Sequence, residues 1–564
     1  MKVIIHRFFK TIILLFILWY VIAFVLFPLI TLISESFFYE SDSIGVIKRL
    51  WESKRVRDSF LATLLIGIIT TIFVNIISVF QLLVLEYFDI KFAKFIKLCY
   101  FSPLVFSGIS LTVGYSYLYS SNGLFTKALL MIFPNLEPTW FRGPFAILFV
   151  FTLTLTCYHI LFVNTSFRSI DNSIIESSVN MGQSHIGTFF KVALPLVRPS
   201  IYASSILVFL LAINSFTVPH ILGGNNFFMI STLIRSLYDI GSISMATTLS
   251  VLLGIIVFFI MMLFQNFEKN KMFFSMSKPS LPIKKIKINN KIIYIVASIL
   301  AWILLLAFVL PPLIVVIYSF SDAKVIAQQQ LPSITTIENY TNVLSDSNHV
   351  KPIINSFLLS AMSIPITLFV GGIIGYLSVR KNSIIVKIIS RIITLPFFFP
   401  MLIFSLGLVI GYNQPNLFVF NRVLVGTNII LPIAYSIANI YIAFMMIRAA
   451  MLNMNVNVEE AALSLGANNF TVFRTIILPT LFPYIKNLSI IFFIELLTEF
   501  TASDMLYSVG NMPLGVAIRL IFISNSSFQL ARLFVYIVIV LFISLISLLF
   551  LKNSQQRNSK KISK

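Results

Sequence analysis

Residues 11–34, TIILLFILWYVIAFVLFPLITLIS, run for 24 residues without one charged side chain. About 20 apolar residues suffice to cross the ~30 Å hydrocarbon core of a bilayer as a helix. A cleaved secretory signal would have a shorter apolar core, of about 7–15 residues, followed by a small-residue site. Phe27-Pro28-Leu29 is no such site, so the run reads as a retained first span. The rest of the chain agrees. It is 58% hydrophobic and 11% charged, whereas a soluble domain carries about 25% charged residues. Further apolar runs lie near 60–85, 95–119, 143–165, 200–222 and 245–267, then 291–320, 356–379, 388–412, 428–450, 485–507 and 530–552. The fold class is therefore an all-α polytopic membrane protein with about twelve transmembrane helices.

The net charge of +21 is spread between these runs, not gathered on one domain, which argues against nucleic acid as a partner. Lys and Arg concentrate at alternate loops, as the positive-inside rule expects. The stretch 268–290 holds Lys269, Lys271, Lys278, Lys284, Lys285 and Lys287 against Glu268 alone, and reads as a basic cytoplasmic linker. Lys2, Arg7 and Lys10 at one end and the basic tail 553–564 at the other place both termini in the cytoplasm. The loop 35–58 should be external; its five basic residues are balanced by Glu35, Glu40, Asp42, Glu52 and Asp58. Cys99 and Cys157 form neither a disulfide framework nor a metal site.

The chain repeats itself. At a constant offset of 284, Gly182, Leu194, Pro195 and Pro199 correspond to Gly466, Leu478, Pro479 and Pro483. Earlier the offset is 297: Ser59-Phe60 matches Ser356-Phe357, Pro103 matches Pro400, and Gly114-Tyr115 matches Gly411-Tyr412. The change places 13 extra residues in the first half, around 122–141. Two homologous six-helix halves, 1–267 and 291–552, can enclose a pathway between them.

From Glu460 the second half reads EAALSLGANNFTVFRTIILPTLFP, and from Glu176 the first reads ESSVNMGQSHIGTFFKVALPLVRP. Residues 457–465 form a short helix that the leading Asn can cap and that Glu459 and Glu460 favour. Gly466 suits a left-handed helix end. Phe470, Phe473, Ile476 and Ile477 recur at helical spacing, and Leu478-Pro479 is expected to end that second helix. This pattern resembles the cytoplasmic coupling loop of binding-protein-dependent ABC importer permeases, and the fused two-half layout extends the resemblance over essentially the whole chain. The motif residues are Glu176, Ser177, Ser178, Gly182, Leu194, Pro195 and Pro199 in loop 176–199. In loop 460–483 they are Glu460, Ala461, Ala462, Gly466, Ile476, Leu478, Pro479 and Pro483. Ser177 and Ser178 stand where the family pattern has alanines, and Val192 where it has Ile.

The resemblance implies a permease of the bacterial cytoplasmic (inner) membrane with no catalytic residue and no cofactor of its own. Its partners would be a cytoplasmic ATPase homodimer that binds the ATP and an extracytoplasmic substrate-binding protein. The sequence agrees: it has no Gly-Lys dipeptide, hence no G-x-x-x-x-G-K-[ST] phosphate loop. An ion-gradient-driven secondary transporter would share the repeated halves but has no use for two coupling loops.

Charge inside a span is costly and invites a functional reading. Glu495 and Glu499 lie four apart in the eleventh run and Asp504 follows; the first half has Leu211, Ser215 and His220 in those places. Ser215, His220, Glu499 and Asp504 are therefore candidates for the lining of the pathway near its outer gate, with capping of a helix end as the alternative. His159 and His185 read as structural, and no side chains are arranged to hold a metal. The fused design resembles permeases for ferric iron, thiamine and aminoethylphosphonate. SFTVPHILGG from Ser215 is similar to iron-type and polyamine-type permeases, and LTEFTASDML from Leu497 looks like the iron-type version. Ferric iron is the favoured solute.

Overall fold

A computed structural model describes residues 2–38, 43–104, 106, 108–224, 227–269, 284–288, 290–332, 334–381, 383–524 and 526–562. Of the expected linker, Lys271 and Lys278 lie outside the described residues, as does Lys564 of the tail. All named elements among the described residues are helices. Ten are long and apolar enough to cross a membrane: Thr11–Phe37, Lys54–Tyr87, Pro144–Arg168, His185–Asn214, Ile243–Ile260, Lys291–Ser319, Ser347–Arg380, Ile430–Leu452, Asn469–Leu496 and Gln529–Phe550. Two bent pairs bring the number to twelve, and the chain is an all-α multi-pass membrane protein.

The bent pairs are the third and ninth spans, which the sequence presents as straight runs. Ala93–Leu104 meets Gly108–Ile132, and Ile384–Phe398 meets Met401–Tyr412, each at 109°. Pro103 and Pro400 sit at the two breaks. Proline removes a ladder hydrogen bond and clashes with the preceding turn, so a helix breaks there rather than curves.

The fifth and eleventh spans also differ from expectation. They begin inside the coupling loops, at His185 and Asn469, and stop at Asn214 and Leu496. Leu478-Pro479 does not end the second coupling helix. Just before it, Leu478 N–H bonds to the Phe473 carbonyl, five residues back, and Leu194 N–H bonds likewise to Phe189. This widened turn makes room for the proline ring, so the helix runs on into the membrane.

Small residues set the closest helix approaches. The eighth span lies along the tenth, where Gly371 and Gly375 let the backbones approach. A Cβ on Gly371 would come within 2.7 Å of the Ile440 carbonyl, and one on Gly375 within 2.8 Å of the Phe444 carbonyl. Lipid gives no hydrophobic drive to pair helices, so such close approach is the usual substitute. At the position equivalent to Gly375 the first half has Ser78, whose hydroxyl lies 2.7 Å from Nδ1 of the buried His159. A hydrogen bond there does the work of the glycine contact.

The first span of each half packs on the third span of the other. Thr11–Phe37 runs against Met401–Tyr412, and Lys291–Ser319 against Gly108–Tyr119. A Cβ on Gly411 would meet Phe27 at 2.9 Å, and one on Gly114 would meet the Pro311 carbonyl at 2.8 Å. The matching pair Gly114 and Gly411 therefore marks the exchanged contact. The described part of the linker is also tied down. Ile286 exchanges backbone hydrogen bonds with Tyr87 and Asp89, and Lys284 N–H donates to Asn172 beside the first coupling helix.

Candidate functional site

Both coupling segments are built alike. Asp171 accepts from Ser173 N–H at 2.9 Å and starts the helix Asn172–Asn180; Asn455 accepts from Asn457 N–H at 3.0 Å and starts Val456–Ser464. The cap is thus Asn455, not Asn457. A capping side chain must sit in extended backbone two or three residues before the N–H it serves, and Asn457 is already inside the helix. Gly182 and Gly466 follow at φ +90° and +89°, where any side chain would be strained. Ser184 and Asn468 then cap the second helix, accepting from Gly187 N–H at 3.0 Å and Thr471 N–H at 2.8 Å.

The motif residues divide by face. Glu176, Ser177, Glu460 and Ala461 are exposed, whereas Ser178 is buried with its hydroxyl 3.0 Å from Thr188, and Ala462 is half-buried. Ile476 is half-buried and Pro195, Pro199 and Pro483 lie within the continuing helices, as Leu194, Leu478 and Pro479 do at their starts. The tip of each turn presents a large bare apolar side chain. Met181 is 81% exposed and Leu465, its equivalent, 89%. An ion cluster fixes the base of each segment. Arg380 grips the buried Glu459 through Nε and Nη2, and Glu86 receives Arg168 at 2.9 Å and Lys97 at 2.6 Å.

At the opposite ends of these spans the halves meet again. Phe216 and Phe500, equivalent at offset 284, stack with ring centroids 5.6 Å apart and an interplanar angle of 13°, and His220 stacks on Phe216. Arg235 and Arg519, also equivalent, both reach the fully buried Asp504, at 3.2 and 2.5 Å. Glu499 does not share a helical face with Glu495, because the helix has already ended at Leu496. Its carboxylate instead accepts from Ala502 N–H at 2.8 Å, Ser503 N–H at 3.1 Å and Ser503 Oγ at 2.9 Å, and so caps the short helix Thr501–Leu506. Ser215 closes the fifth span and accepts from Ser231 Oγ through its carbonyl. Of the four candidates only His220 lines the cavity of about 760 Å³ that opens here. Glu495 is exposed, and Tyr158 of the other half is 41% exposed.

The two arginines were missed in the sequence although the offset of 284 relates them. They fall in short loop helices, Ile230–Asp239 and Leu514–Ser524, outside the apolar runs where charge attracts notice. Among the described residues no cluster of three or more His, Cys, Asp or Glu side chains could hold a metal ion.

The family model for the inner membrane component of binding-protein-dependent transport systems matches residues 95–270 and 350–560. The chain belongs to this family. A protein of Sinorhizobium fredii, "Probable ABC transporter permease protein y4fN", is 31% identical over 534 residues, covering 94% of each chain. A ferric transport system permease protein of Actinobacillus pleuropneumoniae is 21% identical, over 85% of this chain and 69% of its own. A spermidine/putrescine transport system permease protein of Haemophilus influenzae is 30% identical, over 20% of this chain and 40% of its own. The chain is a permease component of an ABC importer. It is not an enzyme; the ATPase of such an importer is a separate subunit, and a substrate-binding protein completes the system.

Proposed function

We propose that this permease imports ferric iron. The observation that carries the reading is the extent of the similarity. A relative named as a ferric transport permease matches over 85% of the chain, whereas the polyamine permease matches over 20%. The polyamine similarity, higher in identity over its short span, supports the second reading: the same machinery importing a polyamine. Thiamine and aminoethylphosphonate rest on the fused layout alone.

The loops 176–199 and 460–483 dock on a cytoplasmic ATPase homodimer, with Met181 and Leu465 entering its two grooves. Both termini and the linker 268–290 then share the cytoplasmic side of the inner membrane. ATP, bound by the partner, draws the two coupling segments together. A loaded binding protein docks on the far face. The stacked Phe216 and Phe500 form the outer gate, and Glu495 with Tyr158 lies on its cytoplasmic side, since the eleventh span runs outward toward Phe500. Opening the gate admits the solute, and hydrolysis resets it. Uptake of labelled ferric iron, thiamine and putrescine by cells with and without the chain tests the reading. Loss of iron uptake alone supports it. Unchanged iron uptake with loss of putrescine uptake supports the second.

A further inference from the structure

The cavity beside the outer gate carries the wrong charge for a free metal cation. It lies at the span ends opposite the coupling loops, with walls from both halves. Its charged lining is Arg142, Arg235 and Arg519 against the single carboxylate of Asp239. Asp504, behind the wall, is shared by Arg235 and Arg519, and Arg235 also pairs with Asp239 at 3.3 Å, so two carboxylates face the three arginines and Arg142 supplies the excess positive charge. Arg519 donates Nη1 to Asp504, and its buried Nε has no acceptor. Arg142 follows directly on the extra segment of the first half and rests over Gly224, where a Cβ would approach its Nε to 2.8 Å. It makes no ion pair among the described residues. At the rim Arg55 adds a further cation, over the Phe228 ring at 4.0 Å.

Guanidinium groups present paired N–H donors in a plane, which match carboxylate and phosphate oxygens. A cavity lined by more cationic than anionic groups draws anions in and disfavours cations. Putrescine and thiamine are cations and would be disfavoured here, as would bare ferric ion. We propose that this vestibule binds the oxyanion groups of an anionic solute, carboxylate or phosphate, so that iron crosses the outer gate as an anionic chelate. The iron part rests on the function proposed above; the anion site does not.

The test uses the full permease purified with its ATPase, and calorimetric titration with citrate, inorganic phosphate and putrescine. Citrate or phosphate binds and putrescine does not. Arg142→Gln weakens anion binding about tenfold, the scale of one charge-assisted hydrogen bond. Asp239→Asn tightens it. Both residues are exposed, so the folded transporter survives either change. Absence of anion binding, preference for putrescine, or equal affinities in all three proteins would overturn the site. Uptake of doubly labelled ferric citrate then separates the sources. Entry of both labels supports the chelate; entry of iron alone shows that a free anion fills the site and overturns that part. No iron uptake alongside binding sensitive to Arg142→Gln would defeat the iron reading and leave the anion site standing.

Discussion

Glu499 and Asp504 look alike in the sequence, two carboxylates five residues apart near the end of an apolar run. Their environments separate them. Glu499 satisfies the open N–H groups at the start of Thr501–Leu506. Glu499→Ala leaves those donors bare and lowers stability by about 1–2 kcal/mol, to be read as an earlier thermal transition in detergent. Glu499→Gln keeps an acceptor, and its uptake per folded molecule stays near wild type. Lost uptake at unchanged thermal stability would instead return Glu499 to the pathway. Asp504 balances two guanidinium groups where water does not reach. Asp504→Asn leaves Arg519 without its carboxylate and Arg235 with Asp239 alone, and costs about 3–5 kcal/mol, the range for breaking a buried pair from one side. The protein would be recovered in much lower amounts, and Arg519→Gln in the same chain would restore part of the loss.

The coupling segment shows at the scale of an element what a sequence can and cannot disclose. Its two copies and the left-handed glycine were legible, because each depends on residue type at a fixed spacing. Gly466→Val, forced to φ +89°, strains the turn by roughly 1–2 kcal/mol and shifts the tip. The structure adds the outward face, where Leu465 at the tip is 89% exposed. Leu465→Asp lowers uptake and uptake-linked ATP hydrolysis roughly tenfold or more, as for an anchor at an interface, with unchanged amounts in the membrane. Wild-type coupling in that variant would remove the tip from the docking surface. What stayed hidden depended on backbone register. The rule that proline ends a helix assumes hydrogen bonds four residues back, and the five-residue bond of Leu478 to Phe473 escapes it. The same local reading places the cap on Asn457 rather than Asn455 and gives no sign of the 109° bends in the third and ninth spans, since apolarity records membrane depth but not direction.

Across the whole molecule, the exchanged first spans bind the halves into one body on their flanks, so movement between halves must concentrate on the axis. There the Phe216–Phe500 stack joins equivalent positions of the two halves face to face, flanked by Arg235 and Arg519 on a shared carboxylate. The repeat was legible and the flanking glycines with it, but not the axis. One aligns residues along a chain by offset, whereas convergence on an axis needs the fold. The arrangement makes a physical demand. With the rings 5.6 Å apart the stack shuts the end that the proposed function places outside, and on that proposal any state that accepts solute from outside must part them. In a chain with Cys99 and Cys157 replaced by alanine, Phe216→Cys together with Phe500→Cys places two thiols across the axis. A short bifunctional thiol reagent is expected to join them in the nucleotide-free transporter and to block uptake. With the ATPase trapped on ATP, the yield of cross-link should fall, because the coupling segments have drawn together at the far end and the spans tilt about the exchanged contacts. A yield that ignores nucleotide would mean that this stack is a fixed strut, and that solute passes elsewhere between the halves.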